Sequence, residues 1–240
     1  MYGFCQRLAF EALELLSPTR CAGCERPGGL ICDRCLGDLK RIDPTSSCPA
    51  CGAPFGDVLC TECRGAGIGV DRCLSAVVFD DLASRIVRAY KDGGERRLAG
   101  PIAEVMFDCA LRARVEADGR FGEALGALDA IVFVPATRAA YRRRGFDHME
   151  AVAEGLARRM GLELVDALVK HGRSDQRRLG RLERREHAEG AYEVVSPVRG
   201  LRLLLVDDVI TTGSTIRSSA RALVDAGAVS VTALSFARVW

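Results

Sequence analysis

Eight of the eleven cysteines fall into four pairs of one spacing: Cys21/Cys24, Cys32/Cys35, Cys48/Cys51 and Cys60/Cys63. A Cys-x-x-Cys turn points two sulfurs to one side and leaves backbone N–H groups to hydrogen-bond the thiolates. Two such turns close a tetrahedron around Zn²⁺, and this chain has enough turns for two tetrahedra. Every coordination position is then filled by protein, so both ions are expected to be structural, with metal binding supplying folding free energy. Pairing neighbours, first with second and third with fourth, is the simplest arrangement; a crossed one is the alternative. Redox dithiols or an iron–sulfur cluster are the competing chemistries. Gly23, Gly28-Gly29 and Gly52 supply the tight turns such a ribbon needs. Cys5, Cys73 and Cys109 stand alone and read as small buried apolar side chains.

A second chemistry-bearing stretch is LLLVDDVITTGST, Leu203–Thr215. A strand this apolar belongs in the middle of a sheet, and it ends in two adjacent carboxylates. Neighbouring residues on a strand face opposite sides, so Asp207 and Asp208 should not do the same job. Thr211, Thr212, Gly213, Ser214 and Thr215 then open a helix. A helix N-terminus offers free N–H groups and the positive end of a dipole, the glycine allows close backbone approach, and the hydroxyls add donors: a cradle sized for one phosphate. Acids beside a phosphate cradle suit a sugar phosphate, the acids taking ribose hydroxyls and the loop the 5′-phosphate. The plainer alternative is an N-capped helix after a buried strand, with solvated acids.

Arginines cluster twice. Arg142, Arg143 and Arg144 form a compact run, and Arg is suited to bidentate phosphate contacts. Arg173, Arg177, Arg178, Arg181, Arg184 and Arg185 recur at spacings that put many of them on one helical side, a candidate polyanion surface. Few aromatics interleave them, so the stacking signature of a single-strand binder is weak. His148, His171 and His187 show no metal spacing and read as surface or pocket residues.

The elements that must position these groups follow from periodicity. After residue 73, strand-like and helix-like segments alternate: strands at 74–79, 128–134, 162–168, 201–207 and 229–237, helices at 82–91, 96–115, 147–160 and 214–226. Alternation of this kind predicts a parallel α/β sheet with crossover helices. Residues 21–63 are rich in Cys, Gly and Pro and too poor in apolar runs to build a core without metal. The division expected is an N-terminal helix over 1–20, a double zinc ribbon over 21–70 and the α/β domain over 71–240. In 240 residues with 48% hydrophobic content there is ample apolar side chain for one such core. The net charge of +2 rules out a general polycation, so nucleic-acid binding would need a local patch. Glu11 and Glu14 interrupt the N-terminal apolar run, which does not read as a signal peptide. No stretch approaches the ~18 apolar residues of a membrane span. A reducing cytoplasm, where thiols stay reduced or bind metal, is the compartment expected.

VDDVITTGST resembles the phosphoribosyl-pyrophosphate (PRPP) motif of type I phosphoribosyltransferases, and its combination with the cysteine ribbon resembles the ComF family. The stretches 89–103, 133–158 and 176–192 also match, so the resemblance covers nearly the whole chain. It implies a type I phosphoribosyltransferase-like domain behind an N-terminal double zinc ribbon with four cysteines per site, PRPP as ligand and Mg²⁺ as its companion. Asp207 and Asp208 would lie at the ribose hydroxyls and Thr211–Thr215 at the 5′-phosphate. Lys91, Pro135, Ala136, Thr137, Arg138 and Arg144 are the pyrophosphate-side candidates. The sequence departs from the family pattern at three places: Val134-Pro135-Ala136-Thr137 for V-P-x-P, Arg144-Gly145-Phe146-Asp147-His148 for R-G-F-N-Q, and His187 where Asn is expected. Two functions are compatible with these residues. One is phosphoribosyl transfer to or from a nitrogen acceptor, which no residue identifies. The other, which the ComF resemblance implies, is a non-catalytic PRPP sensor that serves DNA uptake, with single-stranded DNA or an uptake or helicase protein as partner.

Overall fold

The structure, a computed structural model, describes residues 18–171 and 191–240 apart from Phe55, Asp57 and Ala66. The Arg177–Arg185 cluster and the N-terminal helix expected over 1–20, save its last three residues, lie outside the described residues.

In chain order the elements are α1 (Asp33–Asp38), β1 (Arg72–Val78), α2 (Asp81–Lys91), α3 (Ala99–Glu116), α4 (Glu123–Gly126), β2 (Ala130–Phe133), α5 (Arg138–Arg144), α6 (His148–Met160), β3 (Glu163–Leu164), β4 (Leu168–Lys170), β5 (Tyr192–Val194), β6 (Arg202–Ile210), α7 (Ser214–Asp225) and β7 (Ser230–Arg238). Five strands form one sheet in the order β1-β7-β6-β2-β3, parallel throughout, as the alternating pattern predicts. β4 and β5 pair antiparallel in a separate two-stranded sheet. The apolar stretch at 162–168 therefore splits between two sheets: Val165 N still donates to Ile131 O of β2 at 2.8 Å, whereas Ala167 O accepts from Val195 N, just past β5, at 2.8 Å. The polar connection at 116–127 is more ordered than its composition suggests: it holds a π turn and α4, with Phe121 and Leu125 buried.

The sheet is covered on both faces, as a parallel sheet requires. Leu204, Val206, Leu234 and Phe236 pack with α2, α3 and α6 on one side. Leu203, Leu205, Val231 and Ala233 pack with α7 on the other. Leu203, Leu204, Leu205 and Val206 are fully buried, each worth roughly 1.5–3 kcal/mol of transfer free energy. This alternation within β6 is why the strand reads as continuously hydrophobic.

The cysteine ribbon is built onto the sheet rather than hung from it. Ile42 N donates to Ala76 O at 3.0 Å, Val78 N to Lys40 O at 2.9 Å and Cys73 N to Pro49 O at 2.8 Å. These bonds satisfy the outer edge of β1, which would otherwise expose unpaired strand groups. Cys21 and Cys35 join the apolar cluster beside α2. Cys48, Cys51, Cys60 and Cys63 join the cluster on the α7 side. The two cysteine sets thus lie against opposite layers of the α/β domain.

Candidate metal and phosphate sites

The cysteines assemble in sequence order. Cys21, Cys24, Cys32 and Cys35 form one group, and Cys48, Cys51, Cys60 and Cys63 form the other, with all ligand sulfurs of a group within 4.8 Å of one another. The Cys24–Cys32 and Cys51–Cys60 sulfurs are 3.7 Å apart. A Zn–S distance of ≈ 2.3 Å implies tetrahedral edges of about 3.8 Å, so both groups fit the ion. Backbone amides support the sulfurs: Gly23 N and Cys32 N donate to Cys21 Sγ at 3.4 and 3.3 Å, and Cys60 N donates to Cys48 Sγ at 3.4 Å. Burial works to raise the Cys21 thiol, but amides of Cys32, Cys24 and Gly23 outweigh it and bring the pKa down to about 6. These amides favour the thiolate, the form that binds metal. Cys73 and Cys109 are buried singles with pKa values pushed up by desolvation, as their apolar reading requires.

β6 runs three residues past the point expected, to Ile210, so Asp207 and Asp208 sit on the strand itself and only Thr211–Gly213 forms the turn. Both acids are buried. Asp207 Oδ1 accepts from Asp208 N at 2.9 Å, and Asp208 Oδ1 accepts from Val209 N at 2.7 Å. The remaining Asp208 oxygen meets two groups from the helical layer: the ammonium of Lys91, in direct ion-pair contact at the end of α2, and Nε2 of His148, 3.4 Å away at the start of α6. Burial and the Asp208 charge push Asp207 well above the usual carboxylate range. Burial acts the same way on Asp208, but His148 and Lys91 outweigh it and hold that carboxyl below the usual range. Side by side on one strand, the two acids are thus driven in opposite directions.

At the turn, Gly213 has φ +74°, and a Cβ there would come within 2.5 Å of Ile68 Cγ2. Only glycine meets both demands. Thr211, Thr212 and Ser214 are exposed, Thr215 is half-buried, and the Thr212 hydroxyl bridges Ser214, donating to its Oγ at 3.2 Å and accepting from its N at 3.4 Å. Hydroxyls and the N-terminus of the 12-residue α7 therefore face solvent around a buried glycine.

The other predicted residues divide. Pro135, Ala136 and Arg138 line a cleft of about 390 Å³ together with Tyr141, Arg142 and Asp147. Thr137 serves as the N-cap of α5, its hydroxyl accepting from Ala140 N at 3.1 Å. The Arg run is the end of this short helix, closed by Gly145 in the left-handed region. Arg144 turns away from the cleft toward Asp92 Oδ1, 3.3 Å, and His148 Nδ1, 3.5 Å. Lys91, Asp208, His148 and Arg144 are therefore linked in that order, whereas Arg138 lies in the cleft.

Two residues to which the sequence assigns no site role are central here. Asp147 caps α6 by accepting from Met149 N at 2.9 Å, and its second oxygen accepts from Ala136 N at 2.6 Å. His148 is buried between Asp147, Arg144 and Asp208, and its carbonyl accepts a short hydrogen bond from the buried Tyr90 hydroxyl. The signal available was the position of both residues in the R-G-F-D-H departure, next to a predicted helix start.

A family model for the double zinc ribbon domain matches residues 12–68. DNA utilization protein YhgH of Salmonella typhi is 28% identical over 225 residues, covering 90% of this chain and 96% of that protein. Competence protein ComFC of Bacillus subtilis (strain 168) is 24% identical over 244 residues, covering 98% of this chain and 91% of that protein. Orotate phosphoribosyltransferase of Nitrosococcus oceani is 38% identical over 73 residues, 28% of this chain and 33% of that enzyme. Paired cysteine tetrahedra, a parallel α/β sheet and similarity to YhgH and ComFC along nearly the whole length make the chain similar to ComF-type proteins, with a double zinc ribbon at its N-terminal end and a shorter stretch similar to a phosphoribosyltransferase.

Proposed function

We propose that the chain binds PRPP at the carboxyl edge of β6 and transfers its phosphoribosyl group to or from a nitrogen acceptor. One observation carries the reading: two buried acids lie near the end of the central strand, and five residues after Asp208 a left-handed glycine opens a helix ringed by hydroxyls. Ligands bind at such strand ends in parallel α/β sheets. Asp207, destabilised as a carboxylate by its surroundings, is suited to accept hydrogen bonds from ribose hydroxyls, which favour its charged form. The free amides at the start of α7 and the Thr211, Thr212, Ser214 and Thr215 hydroxyls are suited to the 5′-phosphate.

On the leaving-group side, Lys91 and, in the cleft, Arg138 and Arg142 supply positive charge. Mg²⁺ is held by one or two carboxylates plus substrate phosphates, and the buried Asp207–Asp208 pair supplies such oxygens; bound there it would neutralise pyrophosphate charge. Departure of pyrophosphate from C1′ leaves an oxocarbenium-like centre that a nitrogen nucleophile attacks. The chain's own contribution is positioning and charge stabilisation.

A second reading keeps the ligand and drops the chemistry: a PRPP sensor that serves DNA uptake through a partner. It is favoured by the similarity, along nearly all of this chain, to a DNA utilization protein, YhgH, and a competence protein, ComFC. Calorimetric titration of the zinc-loaded chain with PRPP and Mg²⁺ tests what both readings share. Binding that is lost in Asp207→Asn/Asp208→Asn supports them, and no binding by the parent chain ends both. Pyrophosphate release on screening nucleobases, ammonia and glutamine then selects transfer. Salt-dependent DNA binding lost in Arg177→Ala/Arg178→Ala/Arg181→Ala, without pyrophosphate release, selects the accessory role.

A further inference from the structure

Arg238, near the end of β7, is only 3% exposed, and its guanidinium is shared between the ribbon and the candidate phosphate loop. Nε donates to the carbonyl of Cys51, a member of the second cysteine tetrahedron, at 3.1 Å. Nη1 donates to Ile210 O at 3.3 Å and to Thr211 O at 2.6 Å, the two residues that lead into the loop, and to Val239 O in a shorter bond. Nη2 faces Glu62, between the ligands Cys60 and Cys63, at 3.8 Å. A guanidinium is planar and its donors are fixed in a fork, so the carbonyls of Cys51 and Thr211 cannot shift independently while both bonds persist.

A second contact runs between the same two regions. Ile68, where the ribbon ends, lies against the buried Gly213, and Arg217 of α7 donates to Gly67 O at 3.4 Å. The first tetrahedron has a different neighbourhood. Its Gly23 carbonyl accepts from Arg85 Nε at 2.7 Å, and Gly23 itself abuts Leu82, both on α2 in the opposite layer.

We propose that Arg238 is a positioning residue that couples the second four-cysteine site to the Thr211–Thr215 loop, so that metal at Cys48, Cys51, Cys60 and Cys63 sets the loop's affinity for a sugar 5′-phosphate. The proposal rests on the reading of that loop as the phosphate site. Metal orders the Cys51 carbonyl, the guanidinium transmits that position, and Thr211 is held where the following amides face the ligand. The first four-cysteine site, bonded to α2, stabilises the fold without acting on the loop.

Coupling between two sites is reciprocal in equilibrium affinity, so bound ligand tightens the metal site, and with association unchanged a tighter site releases its ion more slowly. The experiment follows zinc release from the full chain to a chromogenic chelator, with and without saturating PRPP and Mg²⁺, with calorimetry confirming that PRPP binds. The expected result is selective protection: PRPP slows release of one of the two ions about tenfold and leaves the other within about twofold. A Cys32→Ser chain, lacking the first site, keeps the protected ion; a Cys60→Ser chain loses it and binds PRPP at least tenfold more weakly. Arg238→Met retains two zinc per chain and loses the protection. Arg238→Lys does not rescue it, because an ammonium on a flexible stem lacks the fixed fork of donors that holds the two carbonyls at a set separation. PRPP that binds yet protects neither ion, or both equally, overturns the coupling while leaving the ligand reading intact. PRPP that does not bind the parent chain overturns both. Should Arg238→Met fail to fold, the wild-type release curves and the Cys32→Ser comparison still decide the matter.

Discussion

The Asp208 carboxylate is ion-paired with the Lys91 ammonium where the end of α2 meets β6, and His148 lies on the same oxygen. The pair is largely buried, with 11% of the Asp208 side chain and 24% of Lys91 exposed. Removing one partner leaves the other charge with less compensation. Lys91→Met should therefore destabilise the chain by about 2 kcal/mol, less than a fully buried pair would lose. Its PRPP affinity should fall about tenfold or more. Thermal melts and calorimetry check both.

The same pair gives a pH dependence. The folded pKa of Asp208 is depressed, so its stabilisation is present above the unfolded value of about 4 and is lost as pH falls below it toward the folded value. Acid titration of stability should show a loss below about pH 4 in the wild type that is smaller in Lys91→Met. Urea midpoints between roughly pH 2 and 6 measure it. Equal slopes in the two proteins would contradict the assignment.

Asp207 runs the other way. Its folded pKa is raised, so its contribution is most favourable below the unfolded value and is lost as pH rises through the folded one. At neutral pH the buried carboxylate is a net cost. Asp207→Asn removes a carboxyl whose charged form burial and Asp208 disfavour, and keeps an acceptor for the Asp208 amide. A gain on the order of 1 kcal/mol would raise Tm by about 2–4 °C. The variant should bind PRPP poorly despite that gain. Higher stability with lost binding marks a residue strained for function; a lower Tm would contradict the reading.

Asp147 ties the Pro135–Arg138 segment to α6 and consumes the Ala136 amide. Asp147→Ala loses the cap and should cost about 1 kcal/mol. Asp147→Asn keeps the bond to Met149 N, frees the Ala136 amide and removes a negative charge from the cleft. It should bind inorganic pyrophosphate several-fold more tightly than the wild type, as read by calorimetry. Unchanged binding would place pyrophosphate elsewhere.

The metal content is the simplest check on the ribbon. Full-length protein should carry two zinc per chain, and strong chelation should unfold residues 21–63, which have no core of their own. Atomic absorption well under two zinc per chain would contradict a pair of four-cysteine sites.

How much of this could be read in the sequence depended on range. The cysteine sets and β6 were legible because their signals are local: fixed spacing for the sulfurs, and an unbroken apolar run for a strand buried on both faces. The loop after β6 was legible because glycine and hydroxyls announce a tight turn into a helix. His148 was not, since its partner lies 60 residues away and only the packing of α6 against the sheet brings it to Asp208. Arg238 was hidden for the same reason, as an arginine at a strand end reads as solvated until the ribbon folds over it. Arg144 was placed with the pyrophosphate-side residues by its run of charge, but α5 turns it toward Asp92 and His148.

The central claim is that Thr211–Thr215 holds the 5′-phosphate of a ribose. Phosphorus NMR of PRPP during titration with the zinc-loaded chain reads it directly, because the 5′-phosphate and the pyrophosphate give separate lines. The 5′-phosphate line should shift and broaden with the wild type and stay unmoved with Gly213→Val, which cannot keep both the φ of +74° and the contact with Ile68. A titration in which the 5′-phosphate line stays fixed with the wild type, or moves equally with both proteins, would contradict the account.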